Sequence, residues 1–140
     1  MGTPRVFGTP EAGAAVVPRP AAYAIVRAGG RVAVVQEDGG LFLPGGGREP
    51  GETAEENVRR EVREEVGCGL RILRRVAEAV QYCPAHDRDG WYATEATFFE
   101  GAFEGAPGGG ACALSWLTPE EARRRLHHAS HAWAVTLAGE

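Results

Sequence analysis

Glu61, Glu64 and Glu65 lie close together in the chain, a short distance after a run of three glycines, Gly45-Gly46-Gly47. On a helix, positions one turn apart are neighbours, so these three carboxylates converge on one edge. Like charges at that spacing cost about 0.2–0.5 kcal/mol in water and more where solvent is excluded, which calls for a cation to offset them. Carboxylate oxygens select hard ions, Mg²⁺ or Mn²⁺, over zinc, which prefers His and Cys. Mg²⁺ held by a few carboxylates shares its remaining positions between water and substrate phosphates, so the partner chemistry is a phosphate ester or anhydride. The glycines let the backbone approach a ligand without a Cβ in the way, and a main-chain carbonyl there offers a further oxygen.

The elements that position these groups are marked locally. Thr53 followed by Glu56 makes a capping box, and Gly67 stands where a left-handed stop residue belongs, so the spacing predicts a helix over 54–66. Ala54, Val58, Val62 and Val66 form its apolar stripe, with Glu61 and Glu65 flanking it. Before it, Tyr23–Arg27 and Arg31–Glu37 read as a hairpin around Gly29-Gly30, and Leu41–Leu43 leads into the glycines, where Pro44 halts it. After it, Arg71–Tyr82, Trp91–Phe103 and Ala111–Leu117 read as strands. Thr118-Pro119-Glu120-Glu121 starts a helix over 119–127, and Ser130 is expected to cap a last one through Leu137. Residues 1–20 read as a loosely ordered arm with a short edge strand at Arg5–Phe7, preceding a single domain over 21–140.

The segment from Gly46 to Cys68 resembles the Nudix box: G, five residues, E, seven residues, then R-E-U-x-E-E-x-G-U, where U is apolar. Gly46, Glu52, Arg60, Glu61, Val62, Glu64, Glu65, Gly67 and Cys68 fill the defined positions, with Cys68 in the place of an aliphatic residue. The resemblance implies a Nudix-type α/β/α sandwich with a mixed β-sheet. It also implies a Mg²⁺-dependent hydrolase, with Mn²⁺ as the other candidate ion, that cleaves the pyrophosphate of a nucleoside diphosphate linked to another moiety. That moiety is left open among a nucleotide sugar, ADP-ribose, a nucleoside triphosphate and a dinucleoside polyphosphate. By resemblance Glu61, Glu64 and Glu65 hold the metal with the Gly45 carbonyl as a further ligand, and one of them or a nearby carboxylate deprotonates water. Arg60 orients the glutamates, while Glu52 and Gly67 are structural. Relatives are often homodimers, and the sequence itself shows no decisive interface.

A base platform is sought among Tyr82, Trp91, Tyr92 and Phe99, and phosphate contacts among Arg27, Arg48 and Arg88, beside Gly46. The substrate-binding set is taken as Gly46, Arg48, Tyr82 and Arg27. Many relatives carry acidic residues just before the strand equivalent to Leu114–Leu117, where this chain has Gly110, Ala111, Cys112 and Ala113. A fourth carboxylate is therefore expected from Glu95, Glu100 or Glu104. The same gap motivates an alternative, a Nudix-like nucleotide-binding or regulatory domain with little or no hydrolysis.

At 140 residues and 44% hydrophobic, the chain has the size of one domain with a real core. It lacks the long apolar run of a membrane span and the leader of a signal peptide, and its three scattered cysteines fit a reducing compartment, so a soluble cytoplasmic protein is expected. A net charge of −4 gives no basic patch for duplex nucleic acid. All 15 basic residues are Arg, so any side-chain phosphate contact is made by Arg or a neutral donor, never by Lys. The histidines near the C terminus, His127, His128 and His131, read as packing rather than a metal site.

Overall fold

The computed structural model describes residues 3–138. In chain order the elements are β1 (Arg5–Phe7), β2 (Val16–Ala28), β3 (Arg31–Glu37), β4 (Gly40–Phe42), β5 (Gly45–Gly47), α1 (Ala54–Val66), β6 (Gly69–Pro84), β7 (Trp91–Glu104), β8 (Ala113–Leu117), α2 (Pro119–Arg125) and α3 (Ala129–Leu137). The strands run in the order β1-β6-β7-β2-β3-β4, with β5 beside β2 and β8 beside β3. Pairings β1·β6 and β2·β7 are parallel and the rest antiparallel, so the sheet is mixed.

Strand alternation divides the molecule into two cores. Ala21, Tyr23 and Ile25 of β2 and Val32 and Val34 of β3 face α2 and α3, packing with Ala122, Leu126, Ala134 and Val135. Ala22, Ala24, Val26, Ala33 and Val35 face the other way, onto Ala54, Val58, Val62 and Val66 of α1. Because the helices cover both sides, the architecture is an α/β/α sandwich. No helix among the described residues is long and apolar enough to cross a membrane.

The first helix matches its sequence signals at both ends. Thr53 and Glu56 exchange side-chain and backbone hydrogen bonds, and Gly67 adopts φ 85°, the left-handed conformation that stops the helix. A Cβ on Gly67 would stand 2.0 Å from the Gly108 carbonyl oxygen, so the same glycine lets the loop before β8 fold against the helix end. That loop takes up the terminal carbonyls: Gly108, Ala111 and Cys112 donate to Val66, Glu64 and Glu65.

Several boundaries differ from expectation. Residues 16–20, read as part of a loose arm, form the start of β2 in parallel register with β7. Pro18 and Pro20 are accommodated because β5 joins the opposite edge only from Ala21 onward, so few ladder hydrogen bonds are lost. The second helix ends at Arg125 rather than 127. The last helix starts at Ala129 with His128 in the cap position, so Ser130 is not the cap; its N–H is donated to the Gln81 side chain at 3.0 Å.

Candidate active site

A cavity of about 480 Å³ opens where β5, the β3–β4 turn and α1 meet. Glu61, Glu65, Gly45, Gly46 and Gly47 line it together with Glu37, Asp38, Arg19, Tyr23, Phe42, Cys83, Tyr92, His127 and His128. Of the expected site residues, Glu61, Glu65, Gly45 and Gly46 are brought together on this wall. Its carboxylates sit differently from one another because α1 presents them at different angles to the sheet.

Glu65 is 6% exposed, the most buried of the three. Its Oε1 accepts the Gly45 N–H at 3.0 Å. Burial pushes its pKa up to about 8, opposed by that N–H and reinforced by the negative charges of Glu61 and Glu37. Burial also raises Glu61, against the pull of Arg60. Its carboxylate occupies the space a side chain at position 46 would need, 2.7 Å from where a Cβ would stand. Glu64 is more exposed and shares Nη1 of Arg60 with Glu61, at 3.2 and 3.1 Å. It does not line the cavity wall.

Arg60 organises the surrounding loop. It holds Glu52 through two nitrogens, Nε at 2.6 Å and Nη2 at 3.0 Å, and donates from Nη2 to the Gly47 carbonyl at 2.9 Å. Hydrogen bonding to Arg60 holds Glu52 below the usual carboxylate range. Asn57, fully buried, donates to the Gly46 and Gly47 carbonyls at 3.1 and 3.2 Å. The glycine strand is thus tied to α1 by two side chains, of which Asn57 was not anticipated.

Three expected substrate contacts do not line this cavity. Arg27 donates to the carbonyls of Val135 and Ala138 at 3.1 and 3.0 Å, closing the C-terminal end of α3. Arg48 lines a separate cavity, with Arg75, Glu78 and Glu95. Tyr82 is placed on the opposite face of β6 from Cys83, which lines the active cavity, because adjacent strand residues point apart. Arg88, Trp91 and Phe99 do not line that cavity either, whereas Tyr92 does. None of the expected fourth carboxylates reaches it: Glu95 is in the second cavity, Glu100 pairs with Arg74 at 2.8 Å, and Glu104 lies over Gly69.

Beside Asp38 of the following turn, the further carboxylate that reaches it is Glu37, at the end of β3. Its oxygen, one from Glu65 and the Cys112 sulfur all lie within 4.8 Å of one another. Burial and the surrounding carboxylates push the Cys112 thiol up to about 11, so it stays protonated at neutral pH. The histidines pack with Phe42, whose ring centroid is 5.2 Å from that of His127 and 5.4 Å from that of His128. His131 lies beneath them and accepts the Leu43 N–H at 3.2 Å.

The NUDIX domain family matches residues 17–137 of the chain. No curated protein sequence matches it significantly. Among solved structures, a MutT NUDIX hydrolase from Burkholderia pseudomallei superposes with a TM-score of 0.66 at 23% identity, over 87% of this chain and 98% of that one. A dihydroneopterin triphosphate pyrophosphohydrolase from E. coli gives 0.64 at 21% identity, over 85% and 94%. An ADP-ribose pyrophosphatase from Streptococcus suis gives 0.63 at 18% identity, over 85% and 90%. At these identities the structural likeness concerns the fold.

Proposed function

The chain belongs to the NUDIX domain family of pyrophosphohydrolases, and from that premise we propose that it cleaves the phosphoanhydride of a nucleoside diphosphate derivative with the help of Mg²⁺ or Mn²⁺. The observation that carries this reading is the pair Glu61 and Glu65, buried side by side against a strand of glycines and both pushed toward protonation by burial. Two such carboxyls are stabilised as anions only if a cation joins them. Arg60 reaches Glu61 through one nitrogen that it shares with Glu64 and is otherwise committed to Glu52 and Gly47, so Glu65 has no cationic partner among the described residues. The hard oxygen donors that Glu61 and Glu65 present to the cavity fit a divalent ion.

In this reading Glu61 and Glu65 hold the ion, with the Gly45 carbonyl as a further oxygen and Glu64 reaching in from the exposed side. Bound there, the metal supplies Lewis-acid polarisation of a phosphoryl oxygen and lowers the pKa of water. Arg60 keeps Glu61 and Glu64 oriented, and together with Asn57 it fixes the peptides of the glycine strand. Glu37 is placed to accept a proton from an attacking water or to complete the acidic set. Its position supports hydrolysis over the alternative of a non-hydrolysing nucleotide-binding domain, whose motive was the lack of an acidic residue at 110–113.

The substrate classes named for the structural neighbours, ADP-ribose and dihydroneopterin triphosphate, belong in the first assay panel, together with nucleotide sugars, nucleoside triphosphates and dinucleoside polyphosphates. Chromatography of products is expected to show phosphorylated halves released in the presence of Mg²⁺ or Mn²⁺, and no turnover in a chelator. A protein that bound a panel member without ever cleaving it would be the binding domain instead.

The metal reading has a consequence for stability. A carboxyl whose pKa is raised on folding stabilises the native state below its unfolded value, and this contribution is lost as pH rises through the folded one. For Glu65 the window runs from 4.5 to about 8, and the loss amounts to roughly 3–5 kcal/mol when complete. His128 acts in the opposite sense: burial lowers it from 6.5 to about 4, and burial lowers His131 as well. Their contribution is intact above the unfolded value and lost as pH falls. Melting curves of the metal-free protein are therefore expected to peak near neutral pH and decline on both sides. Added Mg²⁺ or Mn²⁺ should flatten the alkaline decline, and an alkaline limb insensitive to metal would remove Glu65 from the ion's ligands.

A further inference from the structure

We propose that Arg19 recognises a phosphate in this cavity: it grips the phosphoryl group of the substrate that the carboxylate-held metal does not, and thereby selects ligands with two adjacent phosphates. The inference rests on the reading of the cavity as a phosphoanhydride site and adds to it the residue that reads the second phosphate.

The charge distribution is the first argument. Glu37, Asp38, Glu61 and Glu65 make the cavity anionic, and Arg19 is the one Arg side chain on its wall among the described residues. His128 is held neutral by burial and is no substitute. Arg31, Arg60, Arg74 and Arg75 pair with carboxylates, whereas Arg19, like the remaining described arginines, has no carboxylate within ion-pair distance, and of these it alone lines the cavity. A strong planar donor with unspent N–H groups, facing a cavity of acids yet paired with none, is suited to a bidentate phosphate contact.

Its placement is the second argument. The Arg19 Cζ lies 5.3 Å from the centroid of the Tyr92 ring, in cation–π range. The Tyr92 hydroxyl donates to Asp87, which anchors the ring. On its other side the guanidinium fills the room left at Gly47, with Nη2 2.8 Å from where a Cβ would stand, and it faces the Tyr23 hydroxyl. A guanidinium held this way loses little further freedom on binding.

The third argument is the relation to the acids. Glu61 occupies the space beside Gly46 and Arg19 the space beside Gly47. Neighbouring Cα atoms are about 3.8 Å apart, and successive positions of a strand face opposite sides, so the acidic group and the guanidinium flank adjacent residues of one strand from its two faces. Both line the same cavity, which places a cation-binding group and a fixed cation on either side of a backbone free of side chains.

The test measures inorganic pyrophosphate binding by calorimetry in the presence of Mn²⁺, for the wild type, Arg19→Gln and Arg19→Lys. The expected results are about 10–100-fold weaker binding for Arg19→Gln and an intermediate loss for Arg19→Lys, which keeps the charge without the fork. For the best-cleaved member of the substrate panel, KM should rise in parallel while kcat changes little, the pattern of a contact made equally in ground and transition states. Mn²⁺ affinity without phosphate, read by electron paramagnetic resonance, should be the same in all three proteins. Wild-type pyrophosphate binding by Arg19→Gln, or a fall confined to kcat, overturns the assignment while leaving the hydrolase reading intact. A wild type that binds Mn²⁺ but no pyrophosphate overturns the assignment, and the hydrolase reading falls with it only if no member of the panel is cleaved. If Arg19→Gln fails to fold, Arg19→Lys decides the matter: binding equal to wild type counts against the fork contact, and a several-fold loss counts for it.

Discussion

Glu65→Gln is expected to lower kcat by at least about 10³-fold, some 4 kcal/mol of transition-state stabilisation, with the fold preserved. The native environment argues for both halves of this result. The Glu65 carboxyl is buried and its pKa stands near 8, so in the metal-free protein at neutral pH it is largely protonated. Gln reproduces that neutral form in size and retains an oxygen to accept the Gly45 N–H, which Glu65 now receives at 3.0 Å. It removes the loss that Glu65 incurs as pH rises from 4.5 to about 8, so the melting temperature should match wild type below about pH 4.5 and exceed it increasingly through neutrality up to about pH 8. What Gln cannot do is become an anion when a cation arrives. A role in packing alone would leave the variant active. Steady-state kinetics on the best substrate of the panel, set beside melting curves, separates the cases, and a variant retaining wild-type kcat would move the chemistry to Glu37 and Glu61.

The contrast between residues that the sequence located and those it misplaced has a physical origin. The helix from Ala54 to Val66 was legible because its capping box, apolar stripe and glycine stop are all local, and Arg60 was legible because its partners Glu61 and Glu64 lie on the same helix. Arg27 looked like a free cation at the end of a strand. Its acceptors, the Val135 and Ala138 carbonyls, lie more than a hundred residues away, and nothing local announces them. Tyr82 was chosen for type and neighbourhood, while strand alternation puts its neighbour Cys83 in the cavity. Glu37 and Arg19, both missed, share a signal that was available. Ala33 and Val35 face α1, and Glu37 continues that stripe by one more step of two; Tyr23 and Ala21 face α2 and α3, and Arg19 continues theirs. A charged residue that extends an apolar stripe past the edge of the core marks where the core opens into a cavity. Recognising it for Arg19 required seeing that Val16–Pro20 is strand, which Pro18 and Pro20 concealed.

Gly46→Ala is expected to lower kcat by about 100-fold or more, close to 3 kcal/mol, with a melting temperature within a few degrees of wild type, and the neighbouring glycines explain why this one alone should behave so. A Cβ at Gly45 would stand 2.2 Å from the Ala22 carbonyl oxygen, and the backbone there has φ 150°, so Ala at 45 forces the β2·β5 pairing apart and damages the fold. At Gly46 the atoms in the way are the carboxyl of Glu61, with Cδ and Oε2 at 2.7 Å and Oε1 at 2.9 Å. The backbone there is not in the left-handed region, and a carboxylate at the end of a flexible side chain can swing aside at modest cost. The methyl group therefore displaces Glu61 from its position beside Glu65 without unfolding the strand. If Glu61 holds the metal, Mn²⁺ binding should weaken together with kcat, and raising Mn²⁺ should restore part of the activity. If Glu61 were only a solvated charge on the helix, moving it would leave both quantities where they were, and Gly46→Ala would be silent in the assay that Glu65→Gln abolishes.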